Sequence, residues 1–480
     1  MISTILITVY LLIIVAVAIF IVNNTSPLKA LAYLFLLLTF PIVGVIIYLS
    51  FGVNHRIYKL YNKKLEVDKR VFFDIKEQLK KYTEKTLDEA KENLEHFYGL
   101  TKFIHQANVL TTNNKATLFF NGETKFPEVI KALKEAKNHI HIEYYVYEND
   151  TIGKQIGEVL KAKAKEGVKV RFIYDDFGSK SIRKSFVKSL IDSGVEAYPF
   201  YKIKWLYFAN RINYRNHRKI IVIDGEVGFV GGINVSDRYI NPNNFKFYWR
   251  DTHLKIEGLA VLNLQRIFIA DWNFCAQQNI VVTEELFPVE TQKNIEDSDQ
   301  LVQIIASGPD SDHPDIMYAM IQAILLAKKE ILITTPYFVP SSSFIDALKI
   351  ARLTGVTVKL LVPGVSDSKV VNAVSNSYYN DLLEIGVEIY KYQKGFVHAK
   401  TIVFDELVAT VGTSNLDQRS FDLNFEINAF VYDAELAKEL KEAFLNDIKE
   451  SKKIELKEWN ERSIFIRFTE KLVRLISPIL

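Results

Sequence analysis

The chain has 480 residues, too many for one compact core, so length alone predicts two or three folding units. Hydrophobic residues make up 49% and charged residues 24%, a globular balance that excludes a mainly disordered chain. A net charge of +3 does not mark a strongly basic nucleic-acid binder, and the single cysteine, Cys275, excludes an internal disulfide framework or a Cys-rich metal site.

In chain order, residues 2–22 and 30–50 are two uncharged stretches of 21 residues each. Each is long enough to cross the roughly 30 Å hydrocarbon layer as a helix at about 1.5 Å per residue. The polar turn NNTSP between them predicts a transmembrane helical hairpin over 1–50, with Pro41 inside the second span. A cleaved signal peptide is the competing reading, but the basic n-region is missing and a second span follows at once. Arg56, Lys59, Lys63, Lys64, Lys69 and Arg70 follow the second span, and only Lys29 lies in the turn. The positive-inside rule then places the body of the chain and both termini in the cytoplasm of a bacterial cell, with two spans in its membrane. The surplus of aromatics, 32 Phe and 24 Tyr, suits a membrane interface. Residues 51–108 read as a charged connector, with Leu79, Tyr82, Leu87, Ala90, Leu94 and Phe97 at near-helical spacing on a solvated helix.

The middle of the chain repeats itself. KALKEAKNHIHIEYYVY (131–147) and QAILLAKKEILITTPYFV (322–339) are each a helix running into a strand. KAKAKEGVKVRFIYDD pairs with KIARLTGVTVKLLVPG, and LIDSGVEAYPF with LLEIGVEIYKY, each with a Gly closing the helix before a β-branched strand. Alternating helix and strand predicts an α/β fold with a mixed or largely parallel sheet in each half. Two copies are too few for a solenoid, so 109–290 and 291–450 read as pseudo-twofold halves packed face to face around one active site. The tail, 451–480, reads as a basic amphipathic helix. Ile464, Phe465, Phe468, Leu472, Leu475, Ile476 and Ile479 alternate there with Arg462, Arg467, Lys471 and Arg474, which suits a membrane surface; core packing is the alternative.

Each repeat closes on the same constellation. His217, Lys219 and Asp224 precede Gly231, Gly232 and Asn234; His398, Lys400 and Asp405 precede Gly412 and Asn415. In both copies Lys follows His by two positions and Asn follows by seventeen. Residues two apart on a strand share a face, so each His and Lys project together. The glycine turns before the asparagines would let backbone approach an anion. One such octet could arise by chance; two, at equal offsets and equivalent places, do not.

HxKxxxxD followed by GxxN, present twice, resembles the phospholipase D superfamily, and with the N-terminal hairpin it resembles the bacterial cardiolipin synthases. Trp249-Arg250-Asp251-Thr252-His253 after the first motif, and Arg419-Ser420 with Asn424 and Glu426 after the second, add to the likeness. The resemblance implies two phospholipase D-like α/β/α halves and a catalytic set of His217, Lys219, Asp224, His398, Lys400 and Asp405. Lys219, Lys400, Asn234 and Asn415 would hold the nonbridging phosphate oxygens. A neutral imidazole can attack phosphorus while a protonated one opposite gives its proton to the leaving alkoxide. Similarity makes His217 the nucleophile and His398 the general acid and then base; the residues alone leave the reverse open. By position after the motifs, Asp251 and Glu426 orient the imidazoles. Asp224 and Asp405, at the ends of strongly apolar strands, read as structural, paired with backbone or a basic residue outside the phosphate pocket.

The implied reaction joins two phosphatidylglycerol molecules, donor and acceptor, into cardiolipin and glycerol through a phosphatidyl-histidine. It needs no cofactor, and no metal-ligand spacing is present. Residues 194–217 span 23 positions against 12 for 386–398. The extra stretch holds Trp205, Tyr207, Phe208, Arg211, Tyr214 and Arg215, which predicts a lip admitting anionic membrane lipid; a packing loop is the alternative. A hydrolytic phospholipase, a phosphatidyltransferase with another acceptor, a membrane-anchored nuclease and a non-catalytic scaffold are the rival readings. Small net charge argues against the nuclease.

Overall fold

The computed structural model describes residues 2–24, 27–48, 94–105, 108–202, 214–242, 247–280, 283–289 and 299–475, with 73, 86, 90, 91 and 245 as isolated positions. The first apolar stretch is one helix, Ile2–Asn24. The second is two, Pro27–Thr39 and Pro41–Ile47, so the stretch is not one continuous helix. Proline has no N–H and fixed φ, so Pro41 starts a new helix and Phe40 takes the break at φ −137°. Ile21, Ala30, Tyr33, Leu37 and Tyr48 pack these helices together. Among the described residues no helix is long and apolar enough to cross a membrane. Side chains of the first helix are described without a break only over 12–23, and the next two helices have 13 and 7 residues.

The connector also departs from expectation. Leu79, Tyr82 and Leu87 lie outside the described residues, but Ala90, Leu94 and Phe97 are buried with Leu100 and Ile104 in the core of the second half. Their spacing marks a packed face, not a solvated one.

Each half lays down the same sequence of elements. Helices Asn121–Glu135, Thr151–Lys165 and Ser185–Ile191 lead into parallel strands His139–Tyr144, Lys169–Tyr174 and Glu196–Pro199. Asp315–Leu326, Ser342–Leu353 and Lys369–Leu383 lead likewise into Glu330–Thr334, Thr357–Pro363 and Glu388–Tyr392. Gly167, Gly194, Gly355 and Gly386 end four of these helices at φ between +84° and +99°, where a side chain would be strained. Antiparallel strands complete each half, so the sheet is mixed.

The halves do not pack face to face. Among the described residues the strands form one 15-stranded sheet, continuous from half to half. Leu110–Phe120 sits at the junction, antiparallel both to Thr252–Gly258 of its own half and to Gln300–Ser307 of the other. Edge strands with unpaired backbone groups find their partners in each other. One apolar cluster runs across the seam, taking Leu118, Ile220 and Leu254 from the first half and Ile304, Val403 and Ile427 from the second.

The tail helix is Ile464–Arg474, and Ser451–Lys453 before it is an edge strand of the sheet. Its polar edge is docked. Arg462 forms a two-bond fork with Glu470, and Arg474 lies over Tyr378 and reaches Asp381. Ile464, Phe465, Phe468, Leu472 and Leu475 face outward, 54–77% exposed, so this face is not core. Ile476 and Ile479 lie outside the described residues.

Both motif aspartates begin the turn after their strand in the left-handed region, at φ 55°. Asp224 accepts the N–H groups of Lys137, Asn138 and His139, each at 2.8 Å. Asp405 does the same for Lys328, Lys329 and Glu330, and its carboxylate also meets His96 Nε2 at 2.8 Å. Each carboxylate thus pins the start of the neighbouring strand. Asp405→Ala should cost about 1.5–3 kcal/mol of stability, seen as a lower urea midpoint at unchanged slope. An unmoved midpoint would contradict this role.

Candidate active site

His217 and His398 come from different halves and line one cavity of about 320 Å³. Asn234 and Asn415 line it too, with Tyr145, Tyr239, Trp249, Tyr337, Arg215, Arg238, Arg419 and Asn424. Each histidine stands just before its strand, and its backbone N–H is tied across the seam. His217 N–H donates to the Phe425 carbonyl at 2.9 Å, and His398 N–H to the Arg250 carbonyl at 2.7 Å.

The side chains are crossed in the same way. His217 Nδ1 meets Glu426 of the second half at 2.9 Å, and His398 Nδ1 meets Asp251 of the first at 2.7 Å. A carboxylate only accepts, so each Nδ1 carries the proton and each Nε2 keeps its lone pair. The glycines before the asparagines leave room for neighbouring side chains. A Cβ on Gly232 would lie 2.1 Å from Asp251 Oδ1, and one on Gly412 2.2 Å from the Asn428 side chain. Thr413 occupies the place equivalent to Gly232 and hydrogen-bonds the longer Glu426.

The lysines lie beneath the histidines. Lys219 Nζ donates to the His217 carbonyl at 2.7 Å. Lys400 Nζ donates to the His398 carbonyl and sits 3.0 Å from His398 Nδ1. Burial is the main cause of their shifts, lowering Lys219 to about 7 and Lys400 to about 8, with the Lys400 charge adding to the fall at Lys219. Burial likewise lowers His217 to about 4 and His398 to about 3, against the pull of their carboxylates. Burial pushes Asp251 and Glu426 up, but Lys400 with His398, and His217 with Lys219, outweigh it and hold both carboxyls below their ordinary value. Without substrate the site therefore carries two neutral imidazoles facing two anchored carboxylates.

The structure thus brings His217, His398, Lys219, Lys400, Asn234, Asn415, Asp251 and Glu426 together. It separates Asp224 and Asp405 from them: these bond to backbone and do not line the cavity, which corrects their place in the catalytic set. Trp205, Tyr207, Phe208 and Arg211 lie outside the described residues, while Tyr214 and Arg215 are buried and Arg215 lines the cavity itself rather than an outer lip. Sequence reasoning passed over Arg238 and Tyr145. Arg238 was findable: it follows Asn234 by four positions, as Arg419 follows Asn415. Among the described residues no group of His, Cys, Asp and Glu could hold a metal ion.

A family model described as "Cardiolipin synthase, PLD-like domain" matches residues 129–258 and 320–448. The chain belongs to that family. The cardiolipin synthase of Alkalihalophilus pseudofirmus is 41% identical over 458 residues, 95% of this chain and 90% of that protein. The cardiolipin synthase of Oceanobacillus iheyensis is 39% identical over 470 residues, 97% of this chain and 96% of that one. A crystal structure of phosphatidylserine synthase from Haemophilus influenzae shares the fold, with a TM-score of 0.57 over 76% of this chain and 95% of that chain at 15% identity.

For this member of the family the lysine shifts set a pH limit. A lowered lysine is cationic only below its shifted value, so the positive charge beneath the histidines is lost as pH rises through about 7 and 8. The ratio kcat/KM should fall over that window. A flat profile to pH 10 would show that the lysines keep their protons.

Proposed function

We propose that this chain is a cardiolipin synthase, moving a phosphatidyl group from one phosphatidylglycerol to the glycerol hydroxyl of a second. The observation that carries the reading is the pair of imidazoles on one cavity, each with Nδ1 tied to a carboxylate of the opposite half. His217 Nε2 attacks phosphorus. The P–N bond forms as the P–O bond to glycerol breaks, and His398 delivers the proton that the departing alkoxide needs. The phosphate's negative charge, close to His398, raises that imidazole far enough to be protonated at this step. In the second half-reaction the neutral His398 takes the proton from the incoming glycerol hydroxyl, whose oxygen replaces the histidine on phosphorus.

Lys219, Lys400, Asn234 and Asn415 stabilise charge on the nonbridging oxygens. Asp251 and Glu426 hold the rings in the productive tautomer. One P–O bond replaces another, so no nucleotide is consumed, and escape of water-soluble glycerol draws the exchange forward.

The residues at both ends of the chain support a bilayer setting. The apolar stretches of 1–50 serve as a two-span anchor, and the basic residues after position 50 favour a cytoplasmic catalytic body in a bacterial cell membrane. The outward apolar row of Ile464–Arg474, with Arg467 and Lys471 beside it, fits an anionic lipid surface. Changing Phe465 and Phe468 to Glu together should lower activity on phosphatidylglycerol vesicles severalfold while detergent-micelle activity changes little; equal rates in both would remove the helix from the membrane.

The central test supplies phosphatidylglycerol labelled in its headgroup to the full chain in micelles. Cardiolipin plus free glycerol is expected, and His217→Ala or His398→Ala should lower both by at least about a thousandfold. Phosphatidic acid alone would make the chain a hydrolase, and cleavage of DNA without lipid turnover would make it a nuclease.

A further inference from the structure

The two ends of the cavity are chemically unlike. Tyr239, Trp249 and Phe396 surround His398, with ring centroids 6.0, 5.5 and 5.9 Å from its own. The histidines are 181 positions apart (398 − 217), and the same offset sets Ser420 opposite Tyr239 and Phe396 opposite Arg215. Phe425 and Arg250 take equivalent hydrogen bonds from the histidines, so the residues before them, Asn424 and Trp249, correspond as well. Three rings thus stand around His398, while His217 meets the Tyr145 ring at 4.8 Å and has Ser420, Asn424 and Arg215 in the equivalent places.

Arg215 is 3% exposed, and its Nη2 is buried without a hydrogen-bond partner among the described residues. Its guanidinium lies 4.6 Å from the centroid of the Phe177 ring. Asp175 and Asp176 attract its charge, but the Asp175 carboxylate accepts the N–H groups of Phe177, Gly178 and Asn216. Arg419 lines the same cavity. The lining acids are also engaged: Asp417 accepts from the Ser420 N–H at 2.6 Å and Asp367 from the Tyr337 hydroxyl at 2.6 Å. A buried guanidinium N–H left unpaired at a cavity wall is costly, and a ligand that brings its own anion there would remove that cost.

The motif lysines and asparagines already account for the reacting phosphate. What cardiolipin formation adds, beyond hydrolysis or headgroup exchange, is a second phosphodiester three carbons from the attacking hydroxyl. The planar fork of arginine matches two phosphate oxygens. Resting on the synthase reading, we propose that Arg215 and Arg419 form a second anion subsite, which holds the acceptor lipid's phosphodiester while its glycerol hydroxyl attacks the phosphatidyl-histidine. This subsite makes an anionic glycerol lipid a better acceptor than water or free glycerol.

The test uses the full chain in phosphatidylglycerol micelles with labelled free glycerol. Two rates are read together: cardiolipin formation, and exchange of labelled glycerol into phosphatidylglycerol, whose acceptor carries no phosphate. Arg215→Gln and Arg419→Gln should each lower the ratio of cardiolipin to exchange about tenfold, with a raised KM for the acceptor. Arg215→Lys should recover part of the loss, since it keeps the charge without the fork. A proportional fall of both rates in Arg419→Gln, at a thermal transition matching wild type, overturns the subsite even where Arg215→Gln fails to fold. Wild-type chain that releases no glycerol from phosphatidylglycerol overturns the synthase reading and the subsite with it.

Discussion

Two hydrogen bonds cross the seam between the halves, His217 to Glu426 and His398 to Asp251, and the remainder of the site is arranged around them. Each half supplies a histidine whose ring it cannot orient by itself. The backbone repeats the exchange, since each histidine N–H is bound by a carbonyl beside the opposite carboxylate. A shift of one half against the other would therefore disturb side chain and main chain at once. The continuous sheet and the apolar cluster across its centre resist such a shift.

Burial gives this arrangement its electrical character. In a wet site the two imidazoles would titrate near neutrality and the lysines would stay firmly charged. Here desolvation holds the imidazoles neutral and brings the lysines near the edge of losing their protons. An arriving phosphate monoanion reverses that tendency, because opposite charge at short range favours the protonated forms. Charge is thus completed by substrate, a preorganised field in the sense that few groups must move when the reaction begins.

Duplication with divergence explains the remaining features. Equivalent aspartates pin equivalent strands, and Asp405 also binds His96, tying the connector to the second half. Equivalent positions around the histidines carry rings on one side and polar or cationic groups on the other. A symmetric frame therefore encloses an asymmetric cavity, as a reaction with two chemically distinct faces of phosphorus requires.

Much was legible from the residues in order. Helix-to-strand periodicity with closing glycines marked both repeats, because local hydrophobic spacing and left-handed glycine are written in short windows. The paired HxK and Asn offsets marked most of the site, since a strand puts alternate residues on one face. What local pattern cannot carry is partnership over distance. That Glu426 serves His217 and Asp251 serves His398, that the halves join by strand pairing and not by stacked faces, and that Arg215 turns inward are all products of contacts between residues far apart in sequence. Strand-end position suggested a structural part for Asp224 and Asp405, but not which groups they hold: their partners are backbone amides roughly 80 residues upstream. Periodicity specifies an element and the face it buries; only the assembled sheet decides which face from elsewhere meets it.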